Sequence, residues 1–465
     1  MSFATGAYAR SPVWLQNLLI SAYGVHLRRL RFGRTGRTTI ARLRETRLLP
    51  ADEQRRLQLA TLSEVVTRAL ADVPFYRRRG PSTLAVDSFD RLRELPLLTK
   101  NEVQTAARDM VSDRYAGAKL SEIHTGGTTG KPLAVYCDTH TLQRNYAFFT
   151  HFKETAGIHD GDRIATFAGR LLVPSGSGAP YWRRNRAANT LLFSSYHIGR
   201  STLPAYVNAL ADFSPALIDS YPSSIEPVAR YIIDEQRTAI RPRAVITSSE
   251  TLFAPVRELI ERAFACPVFD HYGGAEMAAM ITQCAAGTYH VAQEFGVVEV
   301  LDDGRPVMAG ERGEIVATGF INPVMPLLRY ATGDFAILGD GHCRCGRAGQ
   351  TIASIEGRMD DVIITPEGNL VGRLDPIFKA VSSLYETRIV QDATDHVRVE
   401  MVVAGEFAPA MERELTAQLR ARLGPTMRID LVRVPSIERT ARGKLRTTVN
   451  LVHRQPSAVP GPPLA

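Results

Sequence analysis

Between residues 163 and 272, short β-rich runs alternate with amphipathic helical segments, and this alternation constrains the fold more than any other feature of the chain. Runs over 163–169, 190–196, 216–221, 244–248 and 267–272 read as strands. Segments 203–213, 224–236 and 254–264 carry helical apolar spacing between them. The pattern predicts βαβ units, that is, a mostly parallel sheet covered by helices. The first hundred residues read as helical and charged, with Pro81 and Pro96 as breaks. Residues 296–340 turn strand-rich, with 296–301 and 313–318 as the clearest runs. After Gly357 a small α+β pattern follows: strands over 361–365, 387–391, 396–403 and 427–434, and a helix over 408–423. The expected organisation is an α/β chain. Residues 1–119 form the helical part of a large domain and 120–358 its binding core. Residues 359–453 form a small mobile C-terminal domain, and 454–465 a loose Pro-rich tail.

At 465 residues the chain is long for one domain, and 45% hydrophobic residues supply a large core. Five cysteines are too few and too unevenly spaced for a disulfide framework. No signal peptide opens the sequence and no apolar run reaches the length of a membrane span, so the expected location is the reducing cytoplasm. The formal charge of +8 comes with no dense basic run interleaved with aromatics, which argues against nucleic acid and fits anionic small substrates. Over 11–34 a helical stripe of Trp14, Leu15, Leu18, Leu19, Ala22, Leu27 and Leu30 precedes Arg28, Arg29, Arg31 and Arg34. It reads either as a terminal helix packed on the main domain or as a peripheral membrane contact.

Five segments carry chemistry. The strongest is His124-Thr125-Gly126-Gly127-Thr128-Thr129-Gly130-Lys131-Pro132. Its glycines let backbone N–H groups form a concave nest for phosphate oxygens, while the threonines add hydroxyls and Lys131 a charge. It is not a P-loop: the glycine spacing is one short, and Pro132 stands where Ser or Thr would hold a metal ion. Tyr272-Gly273-Gly274-Ala275-Glu276 closes a predicted strand, where α/β sheets place ligands, and Glu276 could hold Mg²⁺. Arg329-Tyr330-Ala331-Thr332-Gly333-Asp334 presents a carboxylate from a Thr-Gly turn. Glu356-Gly357-Arg358-Met359-Asp360-Asp361 marks the boundary between the large and small parts. Glu438-Arg439-Thr440-Ala441-Arg442-Gly443-Lys444 places one of only six lysines on a late loop. Singly, each except the first reads as readily as an ordinary turn or a solvated charge.

In this order and spacing, the five segments together resemble the adenylate-forming superfamily of acyl-CoA synthetases, adenylation domains and luciferases. The likeness runs from Thr125 to Lys444. The short length, Pro12-Val13-Trp14-Leu15-Gln16-Asn17 and Pro74-Phe75-Tyr76 look like the branch of phenylacetate–CoA ligases and their relatives in capsular-polysaccharide gene sets. The resemblance implies ATP, Mg²⁺ and coenzyme A. It implies that Thr125, Gly126, Gly127, Thr128, Thr129, Gly130 and Lys131 cradle the ATP phosphates. Glu276 would ligate Mg²⁺, Tyr272 with Gly273 would flank the adenine, and Asp334 assisted by Arg358 would bind the ribose. Asp360 would be the hinge, and Lys444 would reach the carboxylate and the α-phosphate during adenylation. Two positions depart from the pattern: Gly126 stands where many members carry serine, and Ala275 where threonine is usual.

Tyr196, His197, Tyr221, Pro222 and Ser249, near predicted strand ends, are candidate pocket residues, although His197 reads equally as a packed loop residue. Cys284 and His290 form a C-x5-H pair, and Cys343 with Cys345 a C-x-C pair. Three thiolates and one imidazole would complete a closed, structural Zn²⁺ site; the alternative is ordinary turn cysteines. The function expected is activation of a carboxylic acid as an acyl-adenylate with transfer to coenzyme A, the acid on family likeness being aromatic. Transfer to an amine or hydroxyl, or transfer of AMP itself, is the second reading. A non-catalytic acyl-binding protein is the third. The sequence leaves the oligomeric state open.

Overall fold

The computed structural model describes residues 8–452, apart from 82, 125–132, 169–171, 174–176, 199–200, 238, 358–361, 367–369, 373, 375–376, 379–380, 382, 404–406, 436 and 438–447. The chain forms two compact units that divide at Gly357.

In the large unit, β1 (Ser121–His124) and β2 (Ala134–Cys137) pair as a hairpin. A thirteen-stranded sheet follows, made of β3 (Ile164–Ala168), β4 (Trp182–Asn185), β5 (Thr190–Ser194), β6 (Leu217–Ser220), β7 (Ala244–Ser248), β8 (Val268–Gly273), β9 (Met280–Gln283), β10 (Tyr289–Val291), β11 (Gly296–Asp302), β12 (Arg305–Pro306), β13 (Arg312–Gly319), β14 (Tyr330–Leu338) and β15 (Thr351–Gly357). Five of these, in the order β8-β7-β6-β3-β5, run parallel. The remainder are antiparallel, with β4 at one edge and β12 at the other.

The local reasons are plain. Ala244–Ser248 opens with the apolar run Ala-Val-Ile and is buried on both faces through Thr247, as a central parallel strand must be. The helix Leu203–Phe213 buries Leu203, Tyr206, Val207, Leu210 and Phe213 at helical spacing, starts on a proline in its first turn and stops where Ser214 turns left-handed. Each such fully buried side chain contributes about 1.5–3 kcal/mol. The N-terminal helical part does not form a core of its own. Leu62, Val66, Leu92 and Val103 share one cluster with Ile281, Val298 and Ile315 of the antiparallel strands.

The small unit pairs β16 (Val362–Ile364) with β17 (Leu370–Gly372). It also holds a sheet in the order β20 (Arg428–Arg433), β19 (His396–Val403), β18 (Leu384–Ala393) and β21 (Thr448–Asn450). The helix Pro409–Leu423 sets Leu415, Leu419 and Leu423 in one cluster with Ile389, Val397 and Val399. This is the expected α/β chain: a large layered unit and a smaller α+β one.

Candidate active site and a cysteine–histidine cluster

Because β5, β3, β6, β7 and β8 are parallel, their C-terminal ends share one edge, and the strand order reverses about β3. That edge is where open α/β sheets bind ligands. His197 follows β5, Tyr221 follows β6, Ser249 follows β7, and Tyr272–Glu276 closes β8. Ser249 holds φ +67, a left-handed conformation costly for serine and typical of strained functional turns. Tyr221 caps the helix Pro222–Asp234, and its carbonyl accepts from Ser220 Oγ at 2.9 Å. His197 is a well-held residue: its Nδ1 lies 2.8 Å from Ser194 Oγ and its ring stacks on Tyr181 at 5.5 Å. Tyr196 lies in the same turn, Ser195–His197.

The segments at 272–276 and 329–334 come together. Tyr272 donates its hydroxyl to Asp334 Oδ2 at 2.9 Å, while the Tyr330 hydroxyl reaches back toward Glu276 Oε1 at 3.5 Å. Three strands separate β8 from β14 in the sheet order, so the antiparallel part must curl to allow this crossing. Burial, and then the neighbouring Asp334 carboxylate, push the Tyr272 phenol well above its usual range, so it remains a neutral donor. Asp334 is presented by a turn in which Gly333 takes φ +76. Thr332 Oγ1 accepts from the Asp334 N–H at 3.1 Å and donates to the Ile315 carbonyl at 2.8 Å. A Cβ on Gly274 would collide with the Glu276 carboxylate, so the second glycine of the pair is what lets that side chain fold back.

Sequence reasoning gave no role to three residues behind this edge. Arg329 is 4% exposed, sits at φ +49 and forms a two-pronged ion pair with Glu299 at 2.9 and 3.0 Å. It also donates to the carbonyl of Leu95 at 2.7 Å, tying the N-terminal part to the strand that carries Asp334. Asp270 is buried and accepts from Thr247 at 2.5 Å and from Tyr289 at 2.6 Å; burial raises its pKa. His271 lies edge-on to Phe149 at 4.9 Å, its Nε2 buried without a partner, and burial pushes its pKa down to about 4. The one signal available was a pair of ionisable residues inside a run that reads as a buried strand. Thr125, Gly126, Gly127, Thr128, Thr129, Gly130 and Lys131, with Arg358, Asp360 and Lys444, lie outside the described residues.

The two cysteine pairs converge. The ligand atoms of Cys284, His290, Cys343 and Cys345 all lie within 4.8 Å of one another. Cys284 Sγ is 3.5 Å from Cys343 Sγ, and Cys345 Sγ is 3.4 Å from His290 Nε2. With metal–sulfur bonds near 2.3 Å and metal–nitrogen bonds near 2.0 Å, a tetrahedron has edges of roughly 3.5–3.8 Å. Burial opposes ionisation of Cys343, but hydrogen bonds from Thr288 and Cys345 outweigh it and hold the thiol down to about 7, whereas burial pushes the Cys345 thiol up to about 11. It is the ligand types and their spacing that fit Zn²⁺. His290 Nδ1 is buried without a protein partner and lines a cavity of about 70 Å³, enough for a water to accept from it.

The family model of the CapK C-terminal domain matches residues 363–451. Protein CapK of Staphylococcus aureus is 28% identical over 95% of this chain and 98% of its own length. Phenylacetate-coenzyme A ligase of Escherichia coli (strain K12) is 27% identical over 67% of this chain and 73% of its own. The corresponding ligase of Thermus thermophilus is 22% identical over 88% and 98%. The chain is similar over nearly its whole length to CapK and, more distantly, to phenylacetate–coenzyme A ligases. This likeness to CapK and the phenylacetate–CoA ligases, together with the fold, supports an adenylate-forming ligase. In fold it resembles 2-hydroxyisobutyryl-CoA ligase in the postadenylation state in complex with 2-HIB-AMP. The TM-score is 0.57 at 21% identity, covering 88% of this chain and 92% of that one.

Proposed function

We propose that this ligase activates a carboxylic acid with ATP and passes the acyl group to coenzyme A, and that the acid is an aryl acid of the phenylacetate kind. The observation that carries the reading is the crossed pair Tyr272–Asp334 and Tyr330–Glu276, which holds two carboxylates from distant segments beside the C-terminal edge of the parallel strands.

The chemistry explains why such groups are needed. A carboxylate oxygen attacks the α-phosphorus of ATP, a P–O bond forms, and the bond to pyrophosphate breaks. The thiol sulfur then attacks the acyl carbon, AMP leaves with its phosphate oxygen, and the thiol proton passes to solvent. The obstacle to the first step is an anion approaching a polyanion. Mg²⁺, when bound, would neutralise phosphate charge, and Glu276 is the residue to hold it; among the described residues no cation pairs with Glu276. Asp334, fixed by Tyr272 and the Thr332 turn, would take the ribose hydroxyls with Arg358. Thr125–Lys131 would supply phosphate donors and Lys444 the charge at the reacting oxygens, with Asp360 as the hinge that withdraws it. Cys284, His290, Cys343 and Cys345 would hold a structural Zn²⁺, which has no open position for catalysis. The free cysteines fit a reducing compartment such as the cytoplasm.

Supplying ATP, a panel of aryl and fatty acids, and either coenzyme A or candidate amines, then identifying the product, tests the assignment. The expected products are acyl-CoA, AMP and pyrophosphate. An amide or ester formed with coenzyme A left unused would move the ligase to another acceptor class.

A further inference from the structure

The helix Val13–Arg31 packs on the protein yet leaves several large apolar side chains in solvent. Its buried positions are Gln16 and Gly24. Through Gln16, Asn17, Ser21 and Gly24 it docks on β4: Gln16 accepts from the Arg183 guanidinium, Asn17 Oδ1 accepts from the Arg184 N–H at 2.8 Å, and Ser21 Oγ accepts from the Arg186 N–H at 3.0 Å. A Cβ on Gly24 would come within 2.5 Å of the Asn185 side chain, so only glycine allows so close an approach. The face on the protein carries these polar residues together with half-buried Val13, Ile20 and Leu27, while large apolar side chains on the rest of the helix stay in solvent. Trp14 is 67% exposed, Leu18 59% and Tyr23 60%, with Leu19 and Val25 also exposed. Trp14, Leu18, Ala22 and Val25 fall on one stripe. Beside it opens a cavity of about 280 Å³ lined by Val13, Trp182, Leu191, Phe213 and Arg184.

Charge says what covers this face. The first 44 residues hold eight arginines, no lysine and no acidic residue, so they account for the whole formal +8 and the rest of the chain sums to zero. The charge is thus concentrated rather than spread along the chain. Arg28, Arg29 and Arg31 lie in the last turn of the helix, and Arg34 follows. Arg28 pairs with Asp160, and Arg31 lies over the Tyr146 ring at 4.2 Å. No helix among the described residues is long and apolar enough to cross a membrane. Exposed Trp14, Leu18 and Val25 on one stripe, followed by Arg29 and Arg34, suit the boundary of an anionic bilayer. A second copy of the chain would bring the same arginines without any acid to meet them.

We propose that the Val13–Arg31 helix seats this ligase on anionic lipid surfaces, with Trp14 and Leu18 in the acyl boundary and Arg29 and Arg34 among the headgroups. The test uses the full chain and vesicles of phosphatidylcholine with or without phosphatidylglycerol. A Trp182→Phe variant leaves Trp14 as the only tryptophan. The expected result is co-sedimentation with the phosphatidylglycerol vesicles alone, a blue shift of Trp14 emission, and release by salt. Leu18→Ser and the Arg29→Glu/Arg34→Glu pair should each weaken binding by about tenfold or more, while acid-dependent pyrophosphate exchange in the absence of vesicles stays unchanged. Absence of binding to anionic vesicles at low salt overturns the proposal. So does a concentration-dependent dimer that Leu18→Ser abolishes, since that would assign the face to a second copy.

Discussion

Two buried residues hold the machinery without touching the substrates. Arg329 and Glu299 are paired in a region that admits little water, and Arg329 also anchors the carbonyl of Leu95. Removing one partner leaves a buried charge uncompensated, at a cost of about 3–5 kcal/mol. Arg329→Ala should therefore lower Tm far more than Arg312→Ala, whose partner Glu356 is more exposed, as scanning calorimetry would show. His271 makes a prediction about pH. Burial holds its folded-state pKa at about 4, below the ordinary 6.5, so the unfolded chain binds its proton first as pH falls. The stability this ring contributes is complete above about pH 6.5 and is lost as pH falls toward 4, amounting to roughly 3 kcal/mol. Tm measured between pH 7 and 5 should fall less steeply in His271→Gln than in the unaltered chain. A parallel slope in both would show that the ring is not the source.

At the scale of elements, the site depends on strands that are far apart in the sheet. Tyr272→Phe deletes the donor to Asp334 and leaves the fold of β8 intact. A hydrogen bond to a charged group contributes about 1.5–3 kcal/mol to stability, so Tm should fall, and the loosened Asp334 should also raise KM for ATP. The cysteine–histidine cluster joins the turn between β9 and β10 to the loop before β15. Metal analysis of the purified chain should find one zinc per molecule, and a strong chelator should lower Tm without a direct effect on the chemical step. Zinc-free, fully stable protein would reduce these residues to ordinary turn cysteines.

These elements also show what the sequence could and could not say. The helices Leu203–Phe213 and Ala254–Phe264 and the strand Ala244–Ser248 fall where apolar spacing places them, because each buries a regular stripe. The 190–196 run stops as a strand at Ser194, since Ser195–His197 turns into a short helix held by Ser194 itself. Trp182–Asn185 carried no strand signal; it is an edge strand whose outer side meets a helix through polar contacts. The cysteine cluster was legible because its ligand types are rare. The Arg329–Glu299 pair was not, because sequence order gives no hint that residues thirty positions apart share one buried pocket. The N-terminal stripe was legible as a helix, but its orientation was not. Periodicity identifies an apolar face without saying which way it points.

For the whole molecule, the proposed function gives Lys444 a part in adenylation alone. Lys444→Ala should nearly abolish pyrophosphate exchange yet spare thioester formation from supplied acyl-adenylate. Equal loss of both steps would contradict a small unit that acts at adenylation and then withdraws. The most direct measurement is acid-dependent exchange of pyrophosphate into ATP across a panel of aryl and fatty acids, run beside Glu276→Gln and Asp334→Asn. The account predicts exchange with at least one aryl acid and a fall of about a hundredfold or more in each variant, the scale of losing one charge-stabilising group. Exchange that survives both substitutions, or a chain that binds no ATP, would contradict it.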